Sequence, residues 1–173
     1  MIKFSTERLM ITELSRADLQ KPFMDSLCVR IPTLLTAKVV ENLPPYFHNI
    51  ASRQDARQWL EILLAESVLL MVESRDSEEV VGFLFASPCD DGAHIGYLLA
   101  ESHWGKGLAS ELLLAFMAHS SQLGQWHALI GGVDQSNVAS IKLLEKLGFV
   151  AMPHDRQQSV VFYQYLLLPN SGN

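Results

Sequence analysis

The sequence predicts a mixed α/β fold. Three strand-like runs follow one another between short polar turns over residues 68–100, and beyond residue 108 helical and strand-like runs alternate. The chain has 173 residues, within the usual size of one domain, so 1–173 is read as a single domain. Its sheet is expected to be antiparallel early and to gain a βαβ-type crossover late. There is no internal repeat and no low-complexity tract.

Arg8–Leu14 reads as an edge-type strand, alternating at Leu9 and Ile11 and less regularly beyond. Ser15 then opens a helix, with Asp18 three residues on in a capping-box arrangement. Pro22 falls in that helix's early turns, the region to Leu43 is apolar but broken by Pro22 and Pro32, and Pro44-Pro45 stops whatever precedes it. One or two short helices are expected there. Ser52 starts the next helix with Asp55 at its third position, and Ala56, Trp59, Leu60 and Leu63 fall on one face. Strands are expected at Val68–Glu73, Val80–Ala86 and Ala93–Ala100, joined by the turns Arg75–Glu78 and Cys89–Gly92. Glu101–Gly107 is a loop, and Leu108–Leu123 is a helix closed by Gly124. Trp126–Val133 reads as a strand, Asn137–Leu147 as a helix closed by Gly148, and Phe149–Met152 and Ser159–Leu168 as strands.

Apolar residues make up 49% of the chain and charged residues 18%, as in ordinary globular enzymes. A formal charge of −6 argues against non-specific nucleic-acid binding, which needs basic surface, and suits a cationic or amine-bearing acceptor. Cys28 and Cys89 lie far apart with no metal-type spacing, which predicts two free thiols, a reducing compartment and no metal. The opening MIKFSTERL has no apolar stretch behind a basic end, and no apolar run is long enough for a bilayer. A cytoplasmic monomer or homodimer with no membrane partner is expected.

The most informative stretch is His94–Ala109, where a strand runs through a loop with glycines at 105 and 107 into a helix start. Glycine lets the backbone approach a ligand closely, and the first amides of a helix are unpaired at the positive end of its dipole. Such a junction suits a pyrophosphate. A Walker loop does not fit, because Ala100 stands where its first glycine belongs and Gly107 follows Lys106. A dinucleotide fingerprint would need Gly or Ala at Ser110.

Trp104-Gly105-Lys106-Gly107-Leu108-Ala109 resembles the Gln/Arg-x-x-Gly-x-Gly/Ala loop of the GNAT acetyltransferases, with Trp104 in place of the leading polar residue. Asn137-Val138-Ala139-Ser140, followed by Lys146-Leu147-Gly148-Phe149, is similar to a second segment of that family. Thr6-Glu7-Arg8-Leu9 resembles the opening strand of its Rim-type subgroup, the ribosomal-protein N-terminal acetyltransferases. The resemblance implies a GNAT sheet, antiparallel in its N-terminal half and parallel at a cofactor cleft, with helices on both faces. It also implies acetyl-CoA as cosubstrate and transfer to a primary amine, with a protein N-terminal α-amine favoured. A small-molecule amine (polyamine, amino acid or antibiotic) is the alternative acceptor, and a CoA-binding sensor without turnover is the rival class.

By the same resemblance the backbone of Trp104, Gly105, Lys106, Gly107, Leu108 and Ala109 binds pyrophosphate, while Tyr97, Leu98 and Leu99 bond the pantetheine arm and polarise the thioester carbonyl. Asn137 is both an N-cap and a candidate pantetheine contact. Leu144 stands where many relatives carry a tyrosine acid, so Ser140 becomes the candidate proton donor, or else a plain CoA contact. The attacking amine must be neutral, and His94 is the candidate base. Glu101, Glu7 and Glu13 are alternatives, with His103 assigned to loop surface.

Overall fold

The computed structural model describes residues 1–168. The chain divides into two compact units, one comprising Met1–Phe85 with Tyr97–Leu108 and the other Ala86–Gly96 with the chain from Ala109 onward. Strands β4 (Val80–Cys89) and β5 (Gly92–Leu99) each contribute to both units.

In the first unit the strands hydrogen-bond in the order β1 (Lys3–Ser5), β2 (Leu9–Leu14), β3 (Val68–Ser74), β4, β5. β1 and β2 pair antiparallel with Phe4 opposite Ile11, and β2 pairs antiparallel with β3 with Ile11 opposite Val72. Alternation places Leu9 and Ile11 of β2 inside, and Leu14 at the strand's end is buried from the opposite parity. β1 has no counterpart in the sequence reading, because three residues are too few to display a period of two.

Helix α1, Phe23–Leu34, is a single 12-residue helix rather than the broken segment its prolines suggested. Pro22 is its N-cap, where a missing N–H costs nothing, and Pro32 lies in the last turn. One lost backbone bond there is offset by burial of Met24, Leu27, Cys28, Ile31 and Leu34. Helix α2, Arg53–Glu66, begins as predicted: the Ser52 N–H donates to Asp55 Oδ2 at 2.9 Å and the Asp55 N–H donates to Ser52 Oγ at 3.1 Å. Its Ala56, Trp59, Leu60 and Leu63 face joins α1 in the core, with the Trp59 ring edge-on to Phe47 and Phe83.

In the second unit the order is β4, β5, β6 (Ala128–Asp134), β8 (Val160–Leu166), β7 (Val150–Ala151). β5 and β6 run parallel from Gly92↔Ala128 to Ile95↔Gly131, joined through α3 (Leu108–Leu123). β8 lies antiparallel to both β6 and β7. The βαβ pattern therefore yields one parallel pair among the described strands. Helix α4 (Val138–Lys146) is followed by β7, which is separated from β6 by the later β8. Among the described residues no helix is long and apolar enough to cross a membrane.

The predicted helix at Ser15 is a 3-10 turn, Arg16–Gln20, organised around one buried carboxylate. The Ser15 N–H and hydroxyl donate to Asp18 Oδ2 at 2.6 and 2.7 Å, and Lys21 pairs with Oδ1. The hydrogen bond from Lys21, then that from Ser15, holds the Asp18 carboxyl at about 2, below its usual 3.8. The unfolded chain thus binds this proton near pH 4 and the folded chain near pH 2. The stabilisation is complete above about pH 5 and is lost as pH falls through 2. Asp18→Asn is expected to lower the unfolding free energy by roughly 1–2 kcal/mol at pH 7 and to flatten its fall between pH 4 and 2. Urea denaturation of both proteins at the two ends of that range checks this.

Candidate active site

β5 leaves its parallel register at Ile95 and continues to Leu99. A short 3-10 turn, Glu101–His103, and the loop Trp104–Gly107 then lead into α3. Gly105 and Gly107 have φ of +70° and +76°. A Cβ at Gly105 would meet nothing within 4 Å, and one at Gly107 only an Arg8 guanidinium nitrogen at 3.7 Å. Backbone conformation, not crowding, therefore demands glycine at both places. The loop is exposed, and the first amides of α3 follow directly. Consecutive N–H groups in such a turn, at the positive end of a 16-residue helix, form a concavity suited to an anion.

Backbone directions on β5 alternate. The Leu98 carbonyl faces β4, since a Cβ on Gly82 would lie 2.1 Å from it, and the Ala100 N–H donates to the Val81 carbonyl at 2.8 Å. Tyr97 and Leu99 therefore turn their backbone groups away from β4. The Leu99 carbonyl accepts from the Trp104 indole at 2.8 Å. The Trp104 N–H donates to the Glu101 carbonyl at 3.1 Å, and Lys38 Nζ lies 5.6 Å above the indole ring. Trp104 thus braces the loop against the end of the strand. Glu101 is held by the Thr36 hydroxyl at 2.8 Å.

His103 ends the 3-10 turn, partly exposed, within hydrogen-bond reach of the Ser102 hydroxyl at 3.0 Å. Burial first, and then the charges of Lys106 and Arg30, push its pKa below the ordinary histidine range. Glu13 accepts from the Ile2 N–H and so holds β1 beside β2.

In the second unit Asn137 caps α4, its Oδ1 accepting from the Ser140 N–H at 3.3 Å. Asp134 is drawn below the usual carboxylate range by the hydroxyl, then the N–H, of Ser136. Leu144 is buried against β6, with Cδ1 at 3.1 Å from where a Gly131 Cβ would stand. Ser140 lies one turn earlier on that helix face and is half-buried. His94 is exposed on β5 opposite Ile130, its ring edge-on to Phe162 at 5.7 Å. Among the described residues no group of three His, Cys, Asp or Glu side chains is placed to hold a metal.

The acetyltransferase (GNAT) domain family matches residues 8–150. The chain belongs to the GNAT acetyltransferase family. It is 28% identical over 149 residues to the uncharacterized N-acetyltransferase p20 of Bacillus licheniformis, covering 83% of this chain and 80% of that one. Its fold matches RimL, the ribosomal L7/L12 alpha-N-protein acetyltransferase solved with coenzyme A. The TM-score is 0.76 at 16% identity, over 94% of this chain and 96% of that one. It also matches the microcin C7 self-immunity acetyltransferase MccE, solved with acetyl-CoA and AMP, at a TM-score of 0.72 and 12% identity over 93% of each chain.

As a GNAT enzyme the protein is an acetyl-CoA-dependent acetyltransferase, and its loop and strand end gain a chemical context. The first unit brings Tyr97–Leu99 and Trp104–Leu108 together with Arg8, whose guanidinium donates to the Lys106 carbonyl at 2.8 Å. The second holds Ala109, Asn137, Ser140 and His94. Sequence reasoning missed Arg8 and Gly82. Arg8 had a signal, the Thr6-Glu7-Arg8-Leu9 motif, but Gly82 had none, since its role depends on a neighbour sixteen residues away.

A Gly82 Cβ would also lie 2.8 Å from Leu99 Cδ2 and 3.1 Å from Leu99 Cα. Because the obstacle is largely backbone, Gly82→Ala must displace the end of β5. It is expected to cost about 1–3 kcal/mol and to weaken acetyl-CoA binding. Chemical denaturation and calorimetric titration measure the two effects; wild-type values for both would show that β5 accommodates the methyl group.

Proposed function

We propose that this enzyme transfers the acetyl group of acetyl-CoA to a primary amine, with a protein N-terminal α-amine as the preferred acceptor, and that residues 1–173 act as one acetyltransferase domain in the cytoplasm. The observation that carries the cofactor reading is the pair of left-handed glycines leading into α3 beside the end of β5. Three features support the acceptor: the Thr6-Glu7-Arg8-Leu9 resemblance, the formal charge of −6, and the likeness in fold to RimL. An α-amine, with an unperturbed pKa near 8, also deprotonates more readily than a lysine side chain near 10.4. The two free cysteines suit a reducing compartment.

In this reading the amides of Gly105–Ala109 bind the pyrophosphate, with Trp104 bracing the loop and Lys106 adding charge. The backbone groups of Tyr97 and Leu99 address the pantetheine and thioester, Leu98 contributing packing, and Asn137 contacts the pantetheine. The acceptor nitrogen attacks the thioester carbon, the C–S bond breaks, the departing thiolate takes a proton from the Ser140 hydroxyl, and the Ser140 oxygen recovers one from the acceptor nitrogen as the amide forms. His94 removes the proton from the incoming ammonium group.

Thiol release measured over a panel of N-terminal peptides, polyamines, amino acids and aminoglycosides tests the acceptor. Turnover of peptides is expected. Efficient turnover of one small amine with none of peptides would assign the enzyme to small molecules, an acceptor class that the likeness to MccE leaves in view. Acetyl-CoA binding with no turnover at all would make the protein a sensor.

Ser140→Ala is expected to lower kcat about ten-fold or more with little change in the acetyl-CoA KM. A change in KM alone would make Ser140 a binding contact. In His94→Ala the acidic limb of the pH–rate profile should move or vanish. An unchanged limb in that variant, with loss of the limb in His103→Ala, would transfer the base to His103, whose burial favours the neutral form.

A further inference from the structure

The peptide unit between Lys106 and Gly107 can adopt two orientations. Rotating it changes ψ of Lys106 and φ of Gly107, and glycine accepts φ of either sign at little cost. One orientation turns the Gly107 N–H toward an anion seated on the loop, and the other turns the Lys106 carbonyl oxygen there, which would repel it. Some other group must choose between them.

Arg8 makes that choice. Its Nη1 donates to the Lys106 carbonyl at 2.8 Å, from 98 residues away in sequence. A trans peptide is planar with C=O and N–H antiparallel, so holding the carbonyl aims the following N–H in the opposite direction. The bond comes from a charged donor, which makes it stronger than a neutral one and polarises the peptide toward a better N–H donor.

The turn that presents Arg8 is itself secured. Thr6 Oγ1 accepts from the Leu9 N–H at 3.0 Å, and the Thr6 N–H donates to the Leu9 carbonyl at 2.9 Å. Arg75, following β3, donates through Nη1 to the Thr6 and Glu7 carbonyls at 2.7 and 3.2 Å, and its N–H donates to the Arg8 carbonyl at 2.9 Å. The Thr6–Leu9 segment is thus a strut between the β3–β4 turn and the cofactor loop.

We propose that Arg8 is a positioning residue for the pyrophosphate loop, selecting the peptide orientation at Lys106–Gly107 in which the Gly107 N–H is offered to the cofactor. This rests on the reading of Trp104–Ala109 as the acetyl-CoA loop. It acts through the loop backbone, so its effect is on cofactor affinity and not on the chemical step.

Full-length wild type, Arg8→Ala, Arg8→Lys and Gly107→Val are titrated with acetyl-CoA by calorimetry, and the Gly107 amide is followed by 1H–15N NMR in the ligand-free proteins that retain it. Arg8→Ala is expected to weaken acetyl-CoA about ten-fold, the scale of one charge-assisted hydrogen bond, and to shift or broaden the Gly107 amide. Arg8→Lys should recover part of both, since it restores a charged donor. Should Arg8→Ala fail to fold, Arg8→Gln takes its place. An acetyl-CoA affinity within two-fold of wild type, or an unmoved Gly107 amide, overturns the proposal. If Gly107→Val bound acetyl-CoA as tightly as wild type, the loop reading would fail instead, and the Gly107 amide would still decide whether Arg8 sets that peptide.

Discussion

The left-handed backbone at Gly105 and Gly107 lets the chain leave β5, pass a short 3-10 turn and enter α3 within a few residues. A side chain in that region of conformational space costs about 1–2 kcal/mol, because Cβ crowds the neighbouring carbonyl. Two such residues in a span of three make the sharp re-entry possible directly before the helix's first turn, whose amides have no intrahelical partner. Everything proposed about the cofactor depends on this turn. Helix α3 supplies its dipole only because the chain enters it there, and β5 offers the backbone of Tyr97 and Leu99 only because it ends there.

Freedom of that kind has to be restrained if it is to be useful. The protein restrains it from two directions within the first unit. Trp104 reaches back to the Leu99 carbonyl, closing the loop onto the strand, and its ring lies beneath the Lys38 ammonium. Arg8 takes the Lys106 carbonyl from the other end of the chain. Both contacts are hydrogen bonds to carbonyl oxygens and use none of the loop's own backbone N–H groups. The Trp104 indole is the donor that makes the Leu99 contact.

Polar chemistry in the second unit follows the same economy. Asn137 spends its carbonyl oxygen on capping α4, and its helix buries Leu144 against the bare backbone of Gly131. Leu144 is thus a packing residue, and the proposed proton donor, Ser140, lies one turn earlier on the same helix. The departure from the family pattern was visible in the sequence. The seating of Leu144 against Gly131 of β6 was not.

What could be read directly from the sequence was whatever is decided within about four residues. The Ser52–Asp55 capping box, the buried face of α2, both ends of α3 and the cap at Asn137 are governed by helix period and by bonds between near neighbours. The Gly-x-Gly loop was legible for the same reason. Tertiary structure decided the rest. It placed β8 between β6 and β7, kept α1 continuous through Pro32 by burying one face, and used β2 to pair a three-residue β1 too short to signal itself. It also turned Leu98 toward β4 and Leu99 away, and brought Arg8 to Lys106. Strand pairing and carbonyl recognition join residues tens of positions apart, and their partners are named by the backbone's need to satisfy every N–H and C=O, a requirement that local sequence states without saying where it will be met.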